Sequence, residues 1–428
     1  MRRIYLKTGK LKKDSDLERL KDKVAQIIQE VKTRGDMALR ELTSRFDHLE
    51  RKTLVVTKEE KEKAWREVPK FVIQDLQFSA ENIRKFAQMQ RSMLEDKEIE
   101  ILPGLFVGHH LIPVKSTGVY VPGGRYPLVS TALNGIIPAK VAGVERIIAC
   151  SPPFQNTGIN PFTLVAMEIA GVDEIYTIGG AQAIAAMAYG TESVSPVDLI
   201  VGPGNAYVTE AKKQVYGQVG VDTLAGPSDV LIIADEEANP ELVAADLLAQ
   251  AEHDILARAV LVTTSKALAQ QVLKSVEKEL AKLETEEVAR SSWESNGEVI
   301  LVPDLKEAVA VANEYAPEHL EVHIKAITEP LMCLYNYGSL FLGERTPVVF
   351  GDYVSGSNHI LPTMGTARFA SGLWVGTFLK ISTYQRVSEE AQRILAPVAQ
   401  RLAKLEGLFA HALAAQLRLK NSNVDEKT

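Results

Sequence analysis

The spacing of apolar positions along this chain changes near Pro103. Before it, apolar residues recur every three or four positions. Val24, Ile27, Ile28 and Val31 fall on one face of a helix predicted over 15–47, interrupted at Gly35-Asp36, and a second helical stretch covers about 71–95. This mostly polar N-terminal third is expected to pack on a body or on a partner subunit.

After Pro103, short apolar runs alternate with helical segments. Strands are predicted at 118–121, 146–150, 174–178, 199–201, 230–234, 259–263, 299–302 and 339–342. Each is β-rich, nearly continuous in apolar character and bounded by Gly, Pro or Asp, the pattern of parallel strands buried on both faces. Alternation with helices argues for βαβ units. Two follow, at about 118–229 and 230–372, the second sharing its sheet with N-terminal residues. From about 384 to 417 the chain reads as a long amphipathic helix broken near Gly407, and the polar tail from Lys420 is expected to be disordered.

Composition narrows the function. The 428 residues exceed one simple core, and length suggests about two to three domains. Hydrophobic residues are 46% and charged residues 24%, ordinary for a soluble globular protein. A net charge of −7 disfavours a nucleic-acid footprint, which needs a basic face. Cys150 and Cys333 cannot build a disulfide framework, so a reducing cytoplasm is expected. The start lacks the apolar core of a signal peptide, and no apolar run is long enough for a transmembrane helix.

The chemistry gathers late. Of eight histidines, five (His253, His319, His323, His359 and His411) follow residue 250. They sit in or beside four polar islands: Gln250-Ala-Glu-His253, Ala316-Pro-Glu-His-Leu320, Gly351-Asp-Tyr-Val-Ser-Gly-Ser-Asn-His359 and Glu406-Gly-Leu-Phe-Ala-His411. Imidazole and carboxylate are the usual donor set for zinc. Asn239-Pro240 is a good helix start. From it, Gln250 and His253 share one face near the helix end, while Glu252 points elsewhere. Taken alone they describe an exposed polar helix end better than a metal site. Asp352 follows the apolar run 348–350, where a strand is expected to end. Glu406 and His411 would stand about 140° apart on an unbroken helix, so only a bend at Gly407 lets them meet one ligand. Glu318-His319 follows Pro317 and offers a proton acceptor beside a carboxylate able to activate water, although a solvated turn fits these letters too. His323 is expected in a strand with a structural role, and His109-His110 carry no chemistry in this reading.

No Gly-x-Gly-x-x-Gly occurs. Val121-Pro-Gly-Gly124 and Gly202-Pro-Gly-Asn205 are glycine-rich turns after strands, able to admit a phosphate or merely to turn the chain. Cys150 ends an apolar strand and is expected to be buried and inert.

Read in order with Val119-Tyr-Val-Pro-Gly-Gly124, Gly179-Gly-Ala-Gln182, Gly202-Pro-Gly-Asn205 and Ala225-Gly-Pro-Ser228, the four islands resemble the histidinol dehydrogenase family over about 81–412. The resemblance implies an α/β fold with two Rossmann-like parallel-sheet domains, aldehyde-dehydrogenase-like, and helical N- and C-terminal arms. The expected division is 1–20 as an arm, 21–117 with 230–372 as the zinc and substrate domain, 118–229 as the NAD domain, and 373–428 as an arm completing the partner's site. The resemblance further implies zinc held by Gln250, His253, Asp352 and His411, and NAD contacted by Tyr120, Gln182 and Asn205. His319 would take protons and Glu318 would activate water. The substrate would lie among Ser228, Gln250, His253, His319, Asp352, Glu406 and His411, with His359 supporting.

What this implies is a homodimeric, NAD-linked enzyme that oxidises L-histidinol to L-histidine. Besides the stretch Gln90-Arg-Ser-Met-Leu-Glu-Asp-Lys-Glu98 that leads into Pro103-Gly104, two departures point to a related dehydrogenase of another alcohol, such as an anionic sulfonated propanediol. One is Asp254-Ile-Leu-Ala after His253, where biosynthetic members continue with Gly-Pro. The other is Arg125-Tyr126, near the substrate mouth, where an arginine suits an anionic group. A zinc hydrolase using Glu318 would leave the glycine turns without purpose. A non-catalytic ligand-binding paralogue would have lost a ligand or His319, and neither is lost.

Overall fold

The structure, a computed structural model, describes residues 3–9, 17–123, 126–155, 157–223, 226–325 and 329–421. Gly124, Arg125, Ala225 and the polar tail from 422 lie outside them, and with them the expectations placed on Arg125 and the tail. Contacts divide the chain into two units, Met1–Met89 with Val114–Phe378, and Gln90–Pro113 with Leu379–Thr428.

The first unit holds two sheets. Its six-stranded sheet has the order Ile4–Lys7, Glu298–Leu301, Arg258–Thr263, Asp229–Ala234, His319–His323, Ser339–Leu342. All neighbours are parallel except the N-terminal strand, which pairs antiparallel with Glu298–Leu301. N-terminal residues therefore do join this sheet. The five-stranded sheet is parallel throughout, in the order Glu174–Thr177, Arg146–Ser151, Ser116–Tyr120, Leu199–Val201, Gly220–Val221. All eight predicted strands form, with ends shifted by a residue or two. Val230, Leu231, Ile232, Ile233 and Ala234 are buried on both faces, which is why that run is apolar without alternation.

The long helix Leu17–Asp47 packs on its own body. Val24, Ile27, Val31, Leu39 and Leu42 join the core that fills one side of the five-stranded sheet with Ile184, Met187 and Val208. Its break is at Gly35, φ +53°, where a Cβ would collide with the Glu192 carboxylate. That carboxylate instead accepts the Asp36 N–H at 2.7 Å.

Two expectations need correction. The run 348–350 ends no strand: Val348–Tyr353 is a short helix, and Asp352 lies in its last turn. The helix expected from about 384 begins five residues later. Residues Leu379–Val387 form a strand paired with Leu105–Pro113, which also pairs with Lys97–Leu102, and together they make the antiparallel sheet of the second unit. Helix Glu389–Leu405 starts after Ser388, whose side chain accepts the Ala391 N–H. Gly407, φ +76°, then turns the chain into helix Phe409–Asn421. Among the described residues no helix is long and apolar enough to cross a membrane.

Candidate active site

The amino ends of the central strands of the six-stranded sheet carry a buried polar cluster. Asp229 opens one strand and His319 opens its neighbour. Their backbones and side chains interlock. The Asp229 N–H donates to Glu318 Oε2 at 3.1 Å, and the Glu318 N–H donates to Asp229 Oδ1 at 2.8 Å. The second Asp229 oxygen accepts the Met364 N–H at 3.0 Å. His319 Nδ1 lies 3.2 Å from the Asp229 carbonyl, so a proton on Nδ1 would leave Nε2 free to accept. His319 Nε2 has no hydrogen-bond partner and lies 3.9 Å from Asp352 Oδ1. Glu318 and His319 are each 5% exposed.

This burial sets the electrostatics. Removal from water pushes the Glu318 carboxyl up to about 7, with the neighbouring Asp229 and Asp352 charges adding to the rise. Burial alone would lower the His319 imidazole. The carboxylates of Glu318, Asp352 and Asp229 outweigh it and hold the imidazole above its ordinary value. A carboxyl raised to about 7 beside an imidazole raised above its ordinary value suits proton transfer.

Helix Pro240–Ala251 starts as expected, with the Asn239 side chain accepting the Glu241 N–H and Pro240 at its first position. Gln250 stands in its last turn, 3% exposed, with an amide nitrogen that has no partner. His253 lies just past the cap, its N–H donating to the Gln250 carbonyl at 3.3 Å, and its side chain is exposed. Glu252 does turn away, accepting the Thr285 hydroxyl at 2.7 Å.

The Asp352 helix is held by its surroundings. The Tyr353 carbonyl accepts from the Ser79 hydroxyl, and the Val354 carbonyl accepts from Asn82 Nδ2 at 2.8 Å. His359 joins it to helix Val129–Ala142: Nδ1 lies 3.1 Å from the Asp352 carbonyl and Nε2 lies 3.1 Å from Thr131 Oγ1. Ser228, half-buried, precedes Asp229.

Gln250, an orphaned buried amide, and His319 Nε2, an orphaned buried imidazole nitrogen, both lack the partner that buried polar groups need. His253, Asp352 and the carbonyl oxygen of the Gln250 amide are nitrogen and oxygen donors of the kinds zinc takes, while His319 Nε2 stays free to accept a proton. Glu406 and His411 belong to the second unit, where both are exposed around the Gly407 turn. Among the described residues, a different trio, Asp246, Glu321 and His323, has ligand atoms within 4.8 Å of one another.

The five-stranded sheet carries the residues expected to contact NAD. Its central strand Ser116–Tyr120 has later strands on both sides, which makes its carboxyl end the switch point where open α/β sheets bind ligands. Tyr120 ends that strand, and its hydroxyl accepts the Gly180 N–H at 3.0 Å, at the start of the helix that carries buried Gln182. Asn205 caps helix Ala206–Val215, accepting from the Tyr207 and Val208 N–H groups. Gly202, φ +112°, crosses so close to the Tyr120 carbonyl that a Cβ would lie 2.2 Å from it. Cys150 is fully buried and its thiol is pushed up to about 12 by burial.

Sequence reasoning missed two anchors. Asp229 was legible only as a residue before an apolar run. Lys212 was hidden in a polar-looking helix, yet it is 2% exposed and its ammonium meets Asp222, the Gly202 carbonyl and the Thr223 carbonyl. Asp222 in turn accepts the Gly202 N–H at 2.8 Å. Lys212→Met strands a buried carboxylate under the Gly202 turn, and is expected to cost about 3–5 kcal/mol in denaturant unfolding. Unchanged stability would show that the pair holds nothing.

The histidinol dehydrogenase family profile matches residues 10–419. A "Histidinol dehydrogenase homolog" of Shouchella clausii is 47% identical over 97% of this chain and 98% of its own length. A histidinol dehydrogenase of Methanothermobacter thermautotrophicus is 48% identical over 95% of each. The crystal structure of histidinol dehydrogenase from Elizabethkingia anophelis superposes with TM-score 0.91 at 38% identity, covering 97% of this chain and 95% of that one. By its fold and by these matches, the chain belongs to the histidinol dehydrogenase family.

Proposed function

We propose that this chain carries L-histidinol through L-histidinal to L-histidine, passing two hydrides in turn to NAD in a zinc-dependent site. Membership of the family makes it an NAD-dependent oxidoreductase acting on an alcohol. The observation that best supports the finer reading is the buried Glu318–His319 pair, interlocked with Asp229 and facing Asp352. Zinc, when bound, would polarise the reacting oxygen and hold the imidazole of the substrate. Gln250, His253 and Asp352 would hold the metal together with His411.

In this mechanism His319 takes the hydroxyl proton as hydride leaves the carbinol carbon. Its Nδ1, turned to the Asp229 carbonyl, keeps Nε2 aimed at the substrate. Glu318 then removes a proton from water as it adds to the aldehyde. The protonated His319 returns its proton to the former carbonyl oxygen, giving a neutral hydrate, and the imidazole so freed takes a second proton as the second hydride passes to a second NAD. Tyr120, Gln182 and Asn205 would hold NAD at the carboxyl end of the five-stranded sheet, Ser228 would line the substrate, and Glu406 would meet its amino group.

The arm is proposed to complete the site of a second copy. Its helices expose apolar residues at helical spacing: Ile394, Val398, Leu402 and Leu405 on one, Phe409, Leu413 and Leu417 on the other. Such stripes call for a covering partner. A reducing cytoplasm fits the two unpaired cysteines.

The runner-up is oxidation of an anionic primary alcohol, and Arg125 motivates it. Comparing kcat/KM over a panel of alcohols decides. A preference for an anionic diol above about a hundredfold, roughly 3 kcal/mol, overturns histidinol. In that case Arg125→Ala should raise KM for the anionic alcohol steeply and leave histidinol nearly unchanged.

A further inference from the structure

The trio of Asp246, Glu321 and His323 has no part in the chemistry above, yet it is built into the core beside it. On strand His319–His323, Leu320 and Val322 pack with Leu231, Ile233 and Val309 on one face. Side chains alternate along a strand, so His319, Glu321 and His323 share the opposite face. Helix Pro240–Ala251 covers that face, and Val243, Ala244 and Leu247 from it pack with Val230 and Ile232. Glu321 is fully buried and His323 is 2% exposed. Aliphatic residues would be cheaper there than a carboxylate and an imidazole.

The bonds show what the expense achieves. Glu321 Oε1 accepts the Val348 N–H at 2.7 Å. Val348 opens the Asp352 helix, whose own N-cap, Pro347, provides no side-chain cap. Glu321 Oε2 lies 3.1 Å from His323 Nε2, which lies 3.5 Å from Asp246 Oδ2. Asp246 stands four residues before Gln250, one turn back along the same helix. Glu321, through His323 and Asp246, thus ties three elements together: the strand that begins with His319, the helix that carries Asp352, and the helix whose last turn holds Gln250, with His253 just past its cap.

We propose that Glu321, together with His323 and Asp246, is a positioning set that fixes the two ligand-bearing helices against the strand of the catalytic pair. This rests on the zinc reading above. Glu321 touches neither substrate nor metal; it acts by setting where Gln250, His253 and Asp352 stand relative to His319. Outer partners of this kind are typically worth tenfold to a hundredfold in metal affinity.

The test uses the full-length protein, Zn²⁺ or Co²⁺ alone, and competition with a chelator. Wild type should take up one metal per protomer. Glu321→Leu removes both acceptor oxygens, and should bind about ten- to a hundredfold more weakly and shift the visible bands of the Co²⁺ form. Its NAD affinity should not change, because Tyr120 and Gln182 stand on the other sheet. Glu321→Gln keeps an acceptor for the Val348 N–H and should recover most of the loss. Should Glu321→Leu fail to fold, Asp246→Asn gives the same reading from the other end of the set.

Metal affinity and Co²⁺ bands unchanged from wild type in these variants, with only thermal stability lowered, would sink the inference while leaving the zinc reading intact. A second metal equivalent in wild type, lost with Glu321, would overturn it in favour of a second ion at the trio itself. Wild type that binds no metal defeats both readings.

Discussion

Replacing Glu318 by Gln should all but abolish conversion of the aldehyde to the acid, by about 10²- to 10⁴-fold in kcat, the usual contribution of a positioned general base. Oxidation of the alcohol should continue, and the aldehyde should be trapped by an added amine or hydrazine. The pH dependence follows from burial. Water activation needs ionised Glu318, and its carboxyl sits at about 7, so the second step should weaken as pH falls through 7. That acid limb should disappear from the residual second-step activity of the Gln variant.

Stability provides the control. A carboxyl raised in the folded state contributes stability below its unfolded value and loses it as pH rises through about 7. Glu318→Gln should therefore melt higher than wild type at pH 8, with the difference vanishing near pH 5. An inactive variant that gains stability cannot be explained by misfolding. Equal loss in both oxidation steps would contradict the division of labour between Glu318 and His319.

Removing a metal ligand should be comparably severe. His253→Ala and His411→Ala are each expected to lose zinc and roughly a thousandfold or more of activity, because a bound metal supplies several kcal/mol of charge stabilisation. Unfolded together and refolded, they should complement. In a mixed dimer one site would have both ligands and the other neither, so statistical mixing should return up to about a quarter of wild-type activity. A mixture that stays inactive while still forming dimers would place His411 in its own subunit's site.

Much of the fold was legible because parallel strands buried on both faces read as continuous apolar runs. Asp229–Ala234 is the clearest case. What misled was surface-facing structure. In Leu379–Val387 exposed and half-buried residues are mixed, and its last residues run straight into the Ser388 cap, so the helix signal overlay them. Val348-Val-Phe350 has the letters of a strand, but Pro347 precedes it and the buried Glu321 accepts its first N–H, so a single helical turn forms. Neighbouring Glu318 and His319 were readable as candidates. Their coupling to Asp229 was not, because it joins residues about ninety positions apart. The buried Lys212–Asp222 pair hid for a similar reason: nothing in a polar-looking helix announces which lysine faces inward.

The central claim, a four-electron NAD-linked oxidation of L-histidinol, is tested most directly by stoichiometry. Pure zinc-loaded protein is given limiting L-histidinol and excess NAD, and NADH is read by absorbance while the products are identified. The account predicts two NADH formed and one L-histidine for each L-histidinol consumed. One NADH per alcohol, with the aldehyde as final product, or no NADH at all from histidinol, would contradict it.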